Sequence, residues 1–308
     1  MKALLCGSFD AGERDDWLAS LRAALPEVVW TLQPQADVDV AVVANPPPGA
    51  LQGLPRLTLI QSLWAGVDRL MADPTLPPDV PVARMVDPAM SRAMAETALW
   101  ATLSLHRGFF RYARQQQAGE WRALPQRRAD ELQVAVLGLG EMGRMAASTL
   151  ARQGYRVSGW RSAAGDPLED IEVHAGEAAL APLLALSDVV INLLPLTPAT
   201  RGLLDARFFA ALRPGAGLVN LGRGAHVVDE HLLAALDAGQ VGHAVLDVFA
   251  AEPLPPQHRY WSHPQVTVLP HAAALTDPRS AAEVVAANLR RLAAGEPLQH
   301  LVQRGRGY

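Results

Sequence analysis

Three segments of this chain carry side chains whose types and order could do chemistry. "LVNLGRGAHVVD" sets Arg223 between Gly222 and Gly224. "LDVFAAEPLPP" carries Glu252, and "VTVLPHAAA" carries His271. An arginine fork suits a substrate carboxylate and can polarise a neighbouring carbonyl. A histidine can protonate a carbonyl oxygen, and a carboxylate beside it can hold the ring as an acid near neutral pH. Singly, each residue has an ordinary reading: a backbone-capping arginine, a solvated glutamate, a structural histidine. As an ordered set, each following a short apolar run, they point to an oxidoreductase site where His271 supplies the proton that accompanies a hydride.

A hydride donor has its own signature upstream. "VLGLGEMGRM" contains Gly138, Gly140 and Gly143 in the spacing GxGxxG, after a strand-like run and at the start of a helix-like one. In that context Gly138 permits a tight turn, Gly140 lets the backbone approach a pyrophosphate, and Gly143 allows close helix packing. The amides of Met142 and Gly143 would face the phosphates at the helix N-terminus. The next strand, "YRVSGW", runs into Arg161 and Ser162, where an NAD site normally wants an acid for the ribose hydroxyls. An arginine with a serine hydroxyl suits a phosphate dianion better than a diol, so the pair favours the 2′-phosphate of NADP over NAD. A solvated surface arginine remains the alternative. Trp160 could stack on the adenine or displace the loop.

Other chemistries find little support. The remaining histidines show no HExxH or paired ligand spacing, and a single cysteine cannot build a thiolate site, so no metal is expected. Ser62 and Ser158 lack a nucleophile elbow, which disfavours serine hydrolysis.

The elements that must position these residues read as two α/β domains. The chain has 308 residues, is 50% hydrophobic and 19% charged, and so suits a soluble globular protein of about two domains. Its net charge of −4, without a basic tract, argues against nucleic acid or an anionic membrane as partner. Cys6 alone excludes an internal disulfide and suits a reducing compartment such as the cytoplasm. The N-terminus meets Asp10 too early for a signal peptide. The apolar region 178–196 is broken by Pro182, Asp188 and Pro195, and reads as a helix and a buried strand rather than a membrane span.

Before Asp87 the pattern alternates: a strand over Met1–Gly7, a helix over Asp16–Leu25, then strands in "VDVAVVAN" and "LTLIQSLWAGVD". Asp87-Pro88 begins a long helix that Gly119 should stop. From Leu132 six strands follow, in "QVAVLG", "YRVSGW", "DVVINLL", "GLVNLG", "HAVLDVF" and "VTVLP". Helices fit between them over Glu141–Gln153, Ala178–Leu186, Asp205–Leu212 and Asp229–Ala238. Six buried strands with crossovers make a doubly wound sheet. A last helix, from Asp277-Pro278 to Gly295, lies beyond that unit and is expected to pack back on the first domain.

Together these segments resemble the D-isomer-specific 2-hydroxyacid dehydrogenases, in particular their glyoxylate/hydroxypyruvate reductase A branch. The likeness rests on "GLGEMG", "INLLPLTPATRGLL", "LVNLGRGAHVVDEHLLAALDAGQ", "HAVLDVFAAEPLP", "HPQVTVLPHAAA" and the terminal "RGY". It runs from about Leu59 onward; residues 1–58 match in pattern more than in motif. The resemblance implies an α/β fold of two Rossmann-like doubly wound parallel-sheet domains. A dinucleotide-binding domain, 91–274, would be inserted into a split, flavodoxin-like substrate domain, 1–90 plus 275–308. The family's catalytic trio falls on Arg223, Glu252 and His271. Its carboxylate loop falls on "LWAGVD", giving Trp64 and the backbone amides of Ala65 and Gly66. Cofactor contacts fall on Leu194, Pro195, Thr200 and Leu221, with Asp247 near the nicotinamide carboxamide. Arg84 in "ARMVD" also matches the branch, with no contact assigned. The implied reaction is NADPH-dependent reduction of glyoxylate or hydroxypyruvate by a cytoplasmic homodimer built through the nucleotide domain. Another 2-oxo acid, an NAD-dependent enzyme, or a non-catalytic nucleotide sensor on the same fold stays open.

Overall fold

The computed structural model of the chain describes residues 1–306 except Asp166 and Asp170. The last two residues of the "RGY" motif, Gly307 and Tyr308, lie outside the described residues. The chain divides into two compact units, one of residues Met1–Met90 with the segment from Thr276 onward, the other Ser91–Leu275.

The first unit contains β1 (Lys2–Gly7), α1 (Ala11–Ala24), β2 (Val29–Thr31), β3 (Val40–Ala44), β4 (Leu59–Ser62), α2 (Asp68–Met71) and β5 (Val82–Ala83). Its sheet runs β2-β1-β3-β4-β5 with every pairing parallel, the flavodoxin-like order. Every residue of β3 and β4 is buried, as strands covered on both faces require. Helix α1 starts at Ala11 rather than Asp16, because Asp10 before it and Glu13 form a reciprocal capping box that extends it by about a turn.

Asp87 opens the next helix, its Oδ1 accepting the amide of Ala89 at 2.8 Å. The long helix expected to reach Gly119 is two helices, α3 (Pro88–Arg107) and α4 (Phe109–Ala118). Gly108 separates them at φ 73°, a left-handed conformation open to glycine without a Cβ clash.

The second unit continues with β6 (Gln133–Leu137), α5 (Glu141–Arg152), β7 (Arg156–Arg161), β8 (Glu172–Ala175), α6 (Leu180–Leu186), β9 (Val189–Asn192), α7 (Ala206–Ala211), β10 (Ala216–Asn220), α8 (Asp229–Asp237), β11 (Val241–Leu246) and β12 (Val266–Val268). The sheet order is β12-β11-β10-β9-β6-β7-β8, all parallel. This is the doubly wound dinucleotide-binding order with one strand more than the six expected. The extra strand, β8, reads "EVHA" and has no fully buried residue, so it lacks the apolar run by which the others are legible. Edge strands β2 and β5 escape the sequence pattern for related reasons: one has no fully buried residue, the other is only two residues long.

The chain then returns to the first unit in α9 (Pro278–Ala294), capped by Asp277 and ended by Gly295. Helix α9 packs on α1. Its buried Asn288 donates to Gln61 Oε1 of β4 at 2.8 Å and accepts the Gln299 amide at 2.8 Å. Ser280 donates to Asp87 Oδ2 at 2.6 Å, tying the starts of α9 and α3. Beyond α9, the Val302 amide donates to Val82 O at 2.8 Å, placing the tail against β5. Among the described residues, no helix is long and apolar enough to cross a membrane.

Within the second unit, α4 docks through an aromatic stack. Phe110 lies on His243 of β11 with ring centroids 4.3 Å apart and planes within 4°. His243 Nε2 meets Thr267 Oγ1 at 2.9 Å. Burial, then the charges of Arg114 and His263, push this imidazole down to about 4 from an ordinary 6.5. The unfolded chain therefore takes up the proton first. The neutral ring's contribution is complete above about pH 6.5, shrinks as pH falls toward about 4, and changes no further below that. The full effect is up to about 3 kcal/mol. Replacing His243 with Phe keeps the stack and removes the titration. Denaturant unfolding of both proteins through this window should show a shallower loss of stability in the variant; parallel curves would contradict a neutral His243.

Candidate active site

The turn between β6 and α5 is built from glycine geometry. Gly138 follows β6 at φ 94°, and a Cβ on Gly143 would fall 1.8 Å from Gly138 O. The turn and the first turn of α5 thus touch backbone to backbone, which no other residue at 143 permits. A Cβ on Gly140 would meet nothing within 4 Å, so the face of the turn is open to a ligand. Gly140 supplies no side-chain cap to α5, leaving the leading amides at the positive end of a helix. These features fit a dinucleotide pyrophosphate.

Arg161 ends β7 beside this turn, for Leu137 and Trp160 are register partners and the Gly138 amide donates to Trp160 O at 2.8 Å. Its guanidinium packs against Gly165, where a Cβ would lie 2.5 Å from Nη1. Arg161, Ala164, Leu168, Ile171 and Val173 help line a cavity of about 310 Å³. Ser162 follows Arg161 and is exposed. Trp160 neither stacks outward nor displaces the loop. It is 5% exposed in the core of the unit, with Nε1 donating to Gly176 O at 2.9 Å.

The loops after β11 and β12 bring a histidine and a carboxylate together. His271 Nδ1 meets Glu252 Oε2 at 2.8 Å. Glu252 Oε1 accepts the Phe249 amide at 2.8 Å, which aims the carboxylate. With Nδ1 engaged, Nε2 is the ring atom available for proton transfer, and the side chain is half exposed. His271 has φ 54°, a conformation side chains rarely adopt. Asp247 maintains it. The His271 amide donates to Asp247 O at 2.9 Å, while Asp247 Oδ1 accepts the Ala272 amide at 2.7 Å and Oδ2 the Ala273 amide at 3.1 Å. Asp247 is 1% exposed, so its carboxylate braces the His271 loop from beneath. Thr97 of α3 adds a hydrogen bond to Ala273 O at 2.7 Å.

Arg223 joins this assembly through the backbone. A Cβ on Gly224 would fall 1.8 Å from the carbonyl carbon of Phe249, so the Arg223 loop rests directly on the Glu252 loop. Arg223 Nη1 donates to Gly222 O at 2.8 Å.

Sequence reasoning missed a buried polar group under Arg223. Asn192, Asn220 and His226 are each fully buried. Asn192 Nδ2 donates to Asn220 Oδ1 at 2.9 Å and to His226 Nδ1 at 2.8 Å. The signal was present: "VVIN" and "GLVN" each end a buried apolar strand in an asparagine. Of the residues matched to cofactor contacts, Leu194 is buried, with its amide on Asn192 Oδ1 at 3.3 Å. Leu221 is buried at the end of β10, its amide on Asn192 O at 3.1 Å. Thr200 Oγ1 donates to Pro195 O at 2.7 Å, closing that loop on itself.

The first unit presents a loop of its own. Ser62 Oγ accepts the Trp64 amide and donates to Trp64 O, both at 3.0 Å. The Trp64 ring meets buried Trp17 edge-on at 6.3 Å. Ala65 and Gly66 follow, half-buried, before α2. Met85 N donates to Trp64 O at 3.1 Å, and the neighbouring Arg84 amide donates to His300 O at 3.0 Å. Among the described residues, no three His, Cys, Asp or Glu side chains gather as a metal site.

Residues 99–273 match the family model described as "D-isomer specific 2-hydroxyacid dehydrogenase, NAD binding domain". The chain belongs to this dehydrogenase family. Among curated relatives of the dehydrogenase, the "Glyoxylate/hydroxypyruvate reductase A" of Serratia proteamaculans (strain 568) is 40% identical over 302 residues, 96% of each chain. Two solved dehydrogenases share the fold. One, from Xanthobacter autotrophicus Py2 in complex with NADPH and MES, has TM-score 0.94 and 40% identity, covering 100% of this chain and 99% of that one. The other, an NADPH-dependent glyoxylate/hydroxypyruvate reductase from Sinorhizobium meliloti with NADP and sulfate, has TM-score 0.91 and 34% identity, with the same coverage.

The close backbone contact at Gly224 makes a sharp test. Gly224→Ala must push the Arg223 loop off Phe249 and disturb the amide that aims Glu252. A shift of about 1 Å costs on the order of a hundredfold in kcat/KM. The check is turnover of a 2-oxo acid with reduced nicotinamide nucleotide, beside a melting curve showing that the variant is folded. Native turnover in the alanine variant would refute the coupling of the two loops.

Proposed function

We propose that the protein reduces small 2-oxo acids with NADPH, glyoxylate to glycolate and hydroxypyruvate to glycerate, with His271 as general acid. The observation that carries this reading is the His271–Glu252 pair at 2.8 Å, held on the strand-end edge that also bears the Gly138 turn. The reductase names of the relatives from Serratia and Sinorhizobium support the substrate class. The NADPH and NADP of the Xanthobacter and Sinorhizobium structures support the cofactor.

Residues 91–274 would serve as the nucleotide domain, inserted into a substrate domain of 1–90 plus 275–308. Backbone groups at Gly138, Gly140, Met142 and Gly143 would hold the pyrophosphate. Arg161 and Ser162 would hold the 2′-phosphate. Leu194, Pro195, Thr200, Leu221 and Asp247 would flank the rest. When bound, the nicotinamide supplies a hydride to the carbonyl carbon. Before that transfer Arg223 would bind the carboxylate and polarise the carbonyl, and Trp64 with the amides of Ala65 and Gly66 would be the substrate-binding groups of the first unit. His271 Nε2 delivers the proton to the oxygen that becomes the hydroxyl. Glu252 stabilises the protonated ring and keeps it aimed. One hydride and one proton convert the ketone to the alcohol, and His271 is reprotonated from solvent.

A homodimer formed through the second unit is part of this reading. Trp100 of α3 is 42% exposed, Phe109 of α4 54% and Trp121 beyond it 102%, exposed apolar side chains that burial against a second copy of the chain would cover. The lone Cys6 suits the cytoplasm.

The test is loss of reduced-nicotinamide absorbance with glyoxylate or hydroxypyruvate, comparing NADPH with NADH. Oxidation with NADPH preferred is expected; no oxidation of either nucleotide overturns the reading. Arg161→Ala should raise the KM for NADPH about tenfold or more, with that for NADH changed less than about twofold. Equal effects on both would remove Arg161 as the phosphate clamp.

A further inference from the structure

We propose that His226 is a positioning residue that sets the substrate-binding Arg223 and the cofactor loop 194–200 in register with each other. The inference rests on the preceding reading of Arg223 and that loop. It begins with hydrogen-bond accounting. The Nδ1 atom of His226 faces two donors, Asn192 Nδ2 at 2.8 Å and the Arg223 amide at 3.3 Å. It must therefore be a lone pair, and the ring proton resides on Nε2. Nε2 in turn faces Pro195 O at 3.3 Å, a geometry for donation.

The rest of the group agrees with this tautomer. Asn192 uses both amide protons, on His226 Nδ1 and Asn220 Oδ1, and its Oδ1 accepts the Leu194 amide. Asn220 Nδ2 donates to Arg223 O at 3.1 Å, and its Oδ1 also accepts the Gly222 amide at 3.3 Å. No orientation of either amide can be reversed without setting donor against donor. Arg223 is thus gripped at both its N–H and its C=O. The same imidazole holds Pro195, whose carbonyl also takes the Thr200 hydroxyl. Being fully buried, His226 touches the reaction only through these two loops. In so dry a setting an unmatched donor is costly, so the loops have one relative arrangement rather than several.

The two ring nitrogens serve different loops, and amide side chains can replace them one at a time. In His226→Asn the side-chain oxygen stands where Nδ1 was and the donor to Pro195 is lost. In His226→Gln the terminal NH2 reaches toward Pro195 and the acceptor for Arg223 is lost. Kinetics with NADPH and glyoxylate, beside melting curves, read the two arms separately. The Asn variant should keep the oxo-acid KM within about twofold and raise the nucleotide KM about fivefold. The Gln variant should raise the oxo-acid KM about tenfold and leave the nucleotide KM within about twofold. Equal changes in both constants for both variants, or a lowered melting temperature with native constants, would overturn the assignment and leave His226 a structural residue. Native enzyme run in parallel separates this from the functional reading. If native protein turns over no oxo acid, that reading fails by itself. Tryptophan-fluorescence titration with NADPH then decides the Pro195 arm: weaker binding in the Asn than in the Gln variant supports it, and equal binding overturns it.

Discussion

Parallel strands all end on one edge of their sheet, and the register of the second unit draws that edge as a single row. Trp160, Leu137, Asn192, Asn220, Leu246 and Val268 are successive cross-strand partners. One step beyond the row stand Arg161, Gly138, Leu193, Leu221 and Asp247, and three beyond it on the last strand stands His271. The ladder hydrogen bonds fix this row to within a fraction of a residue. A chain separated by more than a hundred positions in sequence thereby delivers a glycine turn, an arginine, a glutamate and a histidine to the same border. Such borders are where open α/β sheets take their ligands.

Delivering the residues is one task and holding them is another. The holding is done by buried polar groups in the row and just beyond it. Asp247 secures the His271 loop by two amides and its own carbonyl. Asn192, Asn220 and His226 secure the Arg223 loop. In both places the alternative to the native arrangement is a buried donor without an acceptor, at about 1–3 kcal/mol each. That penalty converts a loop into a rigid mount. Close backbone contact at Gly224 then ties one mount to the next. Catalysis of this kind needs groups already in place before the substrate arrives, and rigid mounts supply that.

Two acids in the segment after β11 show how environment divides labour. Asp247 is 1% exposed and gives its oxygens to backbone amides, so its effect is geometric. Glu252, five residues on, has a side chain 35% exposed and gives one oxygen to the imidazole of His271. A buried carboxylate with both oxygens taken by main-chain donors has little left for proton chemistry. One that reaches water and a histidine can follow the charge of that ring.

The sequence by itself determined the family, the α/β fold and the residues that can do chemistry. Each leaves a local mark: an apolar run for a buried strand, GxGxxG before a helix, Asp-Pro at two helix starts, an ordered Arg, Glu and His. What left no local mark had to come from the tertiary structure. Strand β8 is an edge with no buried residue, and it exists because β7 offers it a partner. The break at Gly108 is one glycine among 24, and only the left-handed backbone there ends a helix that composition would continue. Trp160, beside Arg161, is buried rather than presented, a choice made by the alternation of faces in β7 and the core it meets. The role of His226 is the clearest case. A lone histidine carries no instruction in sequence, and it acquires one when folding buries both its nitrogens and leaves each a single chemically acceptable set of partners.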